Sequence, residues 1–164
     1  PYIQLCKIYF SREKLAEAAD FSEKGLKKFP EVQDLLKISA KIALKNGNKE
    51  KAAELYEKTS KSELSQIELE DYAALLSEKG EKKKAREIYL YTGKKFSDPK
   101  NFEKALTIEN DPIEKNSIIN TLQTDTSPPH LLKKTHLTRS ILVDIHYLIT
   151  KKLLCNSGNT ISRC

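Results

Sequence analysis

The sequence of 164 residues contains no tryptophan and no methionine, and only five glycines, six prolines and three cysteines. So few glycines and prolines exclude collagen-like and low-complexity chains. The cysteines, Cys6, Cys155 and Cys164, form neither an even-numbered disulfide framework nor a CxxC redox pair. Cys6 falls inside an apolar helical pattern and is expected to be a small packing residue. Cys155 and Cys164 are free to pair in an oxidising compartment, but nothing requires it. No apolar run approaches about 18 residues, which excludes a membrane-crossing helix. The opening "PYIQLCKIYF" lacks the basic segment and small-residue cleavage site of a secretory signal. With Pro1 first and no initiator methionine, the chain reads as a truncated or processed form. The compartment stays open, with the cytoplasm favoured.

Catalytic motifs are missing too. The glycines, Gly25, Gly47, Gly80, Gly93 and Gly158, do not compose a phosphate-binding loop. Neither GxSxG nor HExxH occurs. All three histidines, His130, His136 and His146, lie near the C-terminus. A zinc site built from His136, His146, Cys155 and Cys164 would need intervals far wider than closed structural sites use. The acids Glu68, Glu70 and Asp71 are expected to be the solvated face of a helix. No enzyme activity, metal or cofactor is therefore expected.

What is present is 38% apolar and 32% charged residues, enough to build a core. The net charge of +6 is unevenly spread. Residues 126–164 carry Lys133, Lys134, Arg139, Lys151, Lys152 and Arg163 against the single acid Asp144, leaving the first 125 residues almost neutral. Nucleic acid or an anionic membrane is therefore a candidate partner only for the tail. The segment Thr124–Pro129 reads as a linker. Beyond it, Ile141, Leu142, Ile145, Leu148, Ile149 and Leu153 fit one apolar face of a helix over 140–154. That helix is open to docking on the rest of the protein, to lying in a membrane interface, or to staying disordered. The abrupt change of composition also leaves open that the tail is foreign to what precedes it.

Before that tail, apolar residues recur at three and four, the helical period. Leu35, Ile38, Ile42 and Leu44 mark one helix; Ala52, Leu55 and Tyr56 the next; Leu64, Ile67, Tyr72, Leu75 and Leu76 a third. The breaks fall at Phe29-Pro30, Asn46-Gly47-Asn48, Lys79-Gly80, Asp98-Pro99 and Asp111-Pro112. Glycine ends a helix in the left-handed conformation, and proline starts the next. Short turns between such helices make antiparallel hairpins, and no alternating strand pattern occurs. The fold class is all-α. The hairpins also repeat. Ala18, Ala52 and Ala85 are spaced by 34 and 33, as are Cys6, Ala40 and Ala73; Gly47 and Gly80 lie 33 apart. Small residues at matched places on facing helices let two backbones approach closely.

These positions resemble the tetratricopeptide repeat family, whose pattern is W-x2-L-G-x2-Y, then A-x3-F and a late proline, at a period of 34. The first unit reads Tyr2-x2-Leu5-Cys6-x2-Tyr9, then Ala18 and Pro30. The second reads Leu36-x2-Ser39-Ala40-x2-Ala43, then Ala52-x3-Tyr56; the third reads Leu69-x2-Tyr72-Ala73-x2-Leu76, then Ala85-x3-Tyr89. Ser22 stands where the first unit's aromatic belongs, and Leu64 replaces the second unit's proline. The resemblance implies an α-solenoid of stacked antiparallel hairpins over residues 1–98. Residues 99–125 would be a degenerate fourth unit or a capping pair, followed by the basic tail 126–164.

The resemblance further implies a protein-interaction scaffold that holds a peptide or helix of another protein in a groove lined by the first helix of each unit. Carried onto this chain, that groove contains Lys7, Lys37, Lys41, Lys45, Glu70 and Glu78. Lys37, Lys41 and Lys45 fall on one helical stripe, with Lys7 beside it and Glu70 and Glu78 at the matching places of the third unit. Such a stripe repels itself and either is simply solvated or receives an acidic ligand. Lys7 and Ile38 stand where the family's carboxylate clamp has asparagines, and Asp71 where it has an arginine. The usual terminal-carboxylate grip is therefore not implied. Self-association through the exposed first helix is a further candidate.

Overall fold

The computed structural model describes residues 1–124. The tail 126–164, its helix over 140–154, its histidines, and Cys155 and Cys164 lie outside the described residues. The chain divides into two compact units, one from Pro1 to Glu81 and one beginning at Lys82. Among the described residues all regular structure is helical, and no helix is long and apolar enough to cross a membrane.

The first unit contains α1 (Tyr2–Ser11), α2 (Leu15–Lys28), α3 (Gln33–Lys45), α4 (Lys49–Lys58), a single 3₁₀ turn (Lys61–Glu63) and α5 (Gln66–Glu78). Neighbours pack in succession: α1 on α2, α2 on α3, α3 on α4 and α4 on α5, with α1 also against α3. The expected breaks are where the helices end. Gly47 and Gly80 both have positive φ, +76° and +85°, a conformation that costs an L side chain energy and glycine almost none. The small pair of the first hairpin is in contact, with the Cys6 thiol donating to the Ala18 carbonyl at 3.8 Å. Cys6, Ala18, Ala40, Ala52 and Ala73 are all fully buried. Around Cys6 and Ala18 the core gathers Leu35, Ile38 and Ile42, flanked by half-buried Tyr2, Tyr9 and Phe21.

The second unit's described part contains α6 (Lys82–Phe96), α7 (Pro99–Ile108) and α8 (Pro112–Thr124). Proline starts both α7 and α8, as its fixed φ favours. Asp98 caps α7, accepting from the Lys100 N–H at 3.0 Å and from the Asn101 amide at 2.9 Å. α6 packs on α7 so closely that a Cβ on Gly93 would sit 2.8–2.9 Å from the Phe102 ring. Phe102, Leu106, Ile118 and Ile119 form the core there, with Leu90 against it. The α7–α8 turn is organised by Glu109. Its carboxylate accepts from the Asn110 and Asp111 N–H groups, each at 2.9 Å, and pairs with the Arg86 guanidinium. The Asp111 N–H, followed by the Arg86 charge, holds this carboxyl below its usual value against the opposing push of desolvation.

Candidate functional site

The six groove residues expected from the sequence all fall in the first unit, on α1, α3 and α5. They behave in three different ways. Lys7 and Lys45 are exposed and make no hydrogen bond or ion pair among the described residues. Lys37 and Lys41 are already engaged. The Lys37 ammonium lies 2.9 Å from Asp34, one turn earlier on α3, and donates to the Glu63 carbonyl at 3.4 Å. The Asp34 hydrogen bond raises its pKa. That of Asp34 is lowered by the same bond and then by the charges of Lys37 and Lys7.

Lys41 reaches from α3 to α5, its ammonium 2.9 Å from the Glu68 carboxylate. Glu68 corrects the expectation of a solvated acidic face: it is 4% exposed. It closes a reciprocal cap with Ser65 at the start of α5, accepting from the Ser65 N–H at 2.8 Å and from its hydroxyl at 2.7 Å. Burial pushes the Glu68 carboxyl up, but the Ser65 and Lys41 hydrogen bonds outweigh it and hold the group below its usual value. Asp71 is half-buried, and desolvation followed by the charge of Glu70 raises its pKa. Ile67, expected to pack, is instead 72% exposed on the first turn of α5.

The two acids expected on the third groove helix diverge. Glu70 accepts from the Gln66 amide at 3.0 Å on the same helix. Glu78 turns toward α4 and pairs with Lys49 at 2.6 Å. The lysine stripe is met by Asp34, the Glu63 carbonyl and Glu68. A signal for Glu68 was legible in Ser65-x-x-Glu68, the spacing of a reciprocal helix cap. Nothing local shows that Lys41 completes it.

A second feature lies behind this face, where α2 meets α3. The Ser22 and Ser39 hydroxyls, both buried, hydrogen-bond at 2.7 Å. A cleft of about 170 Å³ opens over them, bordered by Ala19 and Ala43 and by the Lys51–Glu23 ion pair at 2.5 Å. One repeat later the corresponding residues are Tyr56 and Tyr72, whose rings pack with centroids 5.9 Å apart. Tyr56 is fully buried, and its hydroxyl finds no hydrogen-bond partner among the described residues. Burial, followed by the charges of Asp71 and Glu68, pushes that phenol's pKa strongly upward.

No group of three or more metal-ligating side chains clusters among the described residues. The His136, His146, Cys155 and Cys164 set lies outside them. No family model matches the chain, and no curated protein matches it.

Proposed function

We propose that this chain is a helical-repeat interaction module of the tetratricopeptide type, a binding protein rather than an enzyme, which holds an acidic peptide or helix of a partner protein against the α1/α3/α5 face. The observation that carries the reading is the repeated register of fully buried small residues, Cys6/Ala18, Ala40/Ala52 and Ala73/Ala85. The resemblance implies that the first helices of successive units, α1, α3 and α5, line one face. On that face Lys7 and Lys45 are exposed and unsatisfied, Lys41 keeps 43% of its side chain in solvent, and Ile67 offers an apolar contact. Lys37 and Lys41 are partly neutralised within the fold, so the attraction for an acidic ligand rests chiefly on Lys7 and Lys45.

A library of short acidic peptides titrated against the full chain tests this reading. Each exposed ion pair contributes under about 1 kcal/mol. Reversing both Lys7→Glu and Lys45→Glu turns attraction into repulsion and should weaken a selected peptide about tenfold or more. Removing residues 126–164 should leave that peptide's affinity unchanged. A second reading places binding in the basic tail, favoured by its six cations against one acid. It predicts affinity for polyanions that falls steeply with salt and vanishes with the same truncation. Peptide binding that is indifferent to both lysines removes the first reading.

A further inference from the structure

The positive charge of this chain begins at a structural boundary. Residues 1–81, the first compact unit, carry 14 lysines and arginines against 15 acids. From Lys82 to Thr124 the count is nine against six, so the excess starts on α6 and not at the tail. α6 itself holds six cations, Lys82, Lys83, Lys84, Arg86, Lys94 and Lys95, against the single acid Glu87. The helix has no use of its own for the first three. A helix N-terminus favours acids, and α2, α3, α4, α5 and α8 each place one in the first turn. The first turn of α6 has none; Lys82, Lys83 and Lys84 stand there instead, all exposed. Glu81, just before them, is paired with Lys79 at 3.0 Å. The three lysines therefore oppose the dipole of the helix that carries them.

About 16 Å further along the helix, Lys94 and Lys95 form a second exposed pair. By helical period Lys83, Lys84, Tyr91, Lys94 and Lys95 fall on one side of α6. Rings lie among these charges. The Lys95 ammonium is 5.9 Å from the centre of the half-exposed Tyr91 ring and 5.0 Å from that of Phe96, which is 37% exposed. From this arrangement we infer that the outer side of α6 is a contact for single-stranded nucleic acid. Cations spread along one helix track a phosphate backbone, and exposed rings among them receive unstacked bases. A membrane surface fits less well. It needs a broad apolar face, and among the described residues of α6 only Phe96 is an exposed large apolar side chain. The contact consists of α6 alone. It stands without the α1/α3/α5 reading and, unlike the tail reading, without residues 126–164.

The test follows the fluorescence anisotropy of a labelled oligouridine, roughly 12 nucleotides long as suits a single-strand site, titrated with the full chain across a range of salt. The expected result is saturable binding whose log affinity falls linearly with log salt, by about 0.7 per phosphate neutralised. Lys83→Glu with Lys84→Glu, and separately Lys94→Glu with Lys95→Glu, should each weaken binding about tenfold or more and flatten that slope. The first pair of changes places acids at a helix N-terminus, so thermal denaturation should show no loss of stability. Lost affinity in that variant is therefore lost contact and not lost fold. Phe96→Ala should weaken binding about fivefold or more with the slope unchanged, and Tyr91→Ala repeats the measurement at the second ring. Lys133→Glu with Lys134→Glu is the control in the tail. Binding that follows those two residues and ignores the α6 variants overturns the inference, as does an absence of saturable binding. Tighter binding to phosphatidylserine vesicles than to the oligonucleotide, lost in the same α6 variants, overturns the assignment to nucleic acid in favour of a membrane.

Discussion

In the first unit α2 meets α3 through two hydroxyls, whereas α4 meets α5 through two phenol rings. Both junctions sit on the same register. Both are framed by fully buried small residues: Cys6 and Ala18 before the first, Ala40 and Ala52 before the second. The frame therefore tolerates either filling. Small residues decide how close the helices of one hairpin come, and that distance is what repeats. The residues that meet the next hairpin are free to vary. The serine pair satisfies itself through one hydrogen bond. The tyrosine pair fills its space but strands the Tyr56 hydroxyl, and it lies beside a carboxylate cap that also reaches back to α3.

The comparison breaks most visibly at the ring. Tyr56→Ala should cost about 3–5 kcal/mol, the usual range for losing a buried aromatic. Urea denaturation would show it. The next largest effect tests the cap that only the second junction has. Glu68→Gln should cost about 1–3 kcal/mol, because Lys41 and Ser65 lose a charged partner. The folded Glu68 pKa is depressed. Its contribution is thus complete above the unfolded carboxyl value of about 4.3 and is lost as pH falls through the lower folded value. Denaturation at stepped acid pH should show a shallower acid loss in Glu68→Gln than in the unaltered chain. The smallest effect belongs to the serines. Ser22→Ala alone should cost about 1 kcal/mol, leaving Ser39 without its donor, whereas Ser22→Ala with Ser39→Ala should be nearly neutral. A double-mutant cycle by thermal denaturation reads the difference, and additive losses would show that the two hydroxyls are independent.

The helices and their ends were legible because their causes are local. A three-and-four period, Gly47 and Gly80 past helix ends, and Pro99 and Pro112 at helix starts each act within one turn of chain. The small-residue spacing was legible for a related reason, since a repeat shows itself by recurring. The fate of the lysines was not. Whether Lys41 faces solvent or a carboxylate depends on Glu68, 27 residues away, and on the 3₁₀ turn at Lys61–Glu63 that sets where α5 begins. Ile67 looked like a core residue by period alone. It immediately precedes buried Glu68 and Leu69, but faces a side left 72% exposed among the described residues. Glu109 was overlooked because a single acid between two helices has no spacing to recognise. Its role appears only when Arg86 and the Asn110 and Asp111 N–H groups converge on it. Ser22 was noticed as a departure from pattern, but the loss of a ring gives no hint that a second serine waits opposite.

The contact between Cys6 and Ala18 makes the first hairpin its own clock. The thiol has no exposure, and burial raises its pKa, so both access and thiolate are scarce while α1 lies on α2. An alkylating reagent therefore modifies Cys6 only as often as that hairpin opens. The rate, read at this one sulfur by peptide mass, reports the opening free energy of the N-terminal hairpin without any label having to be introduced.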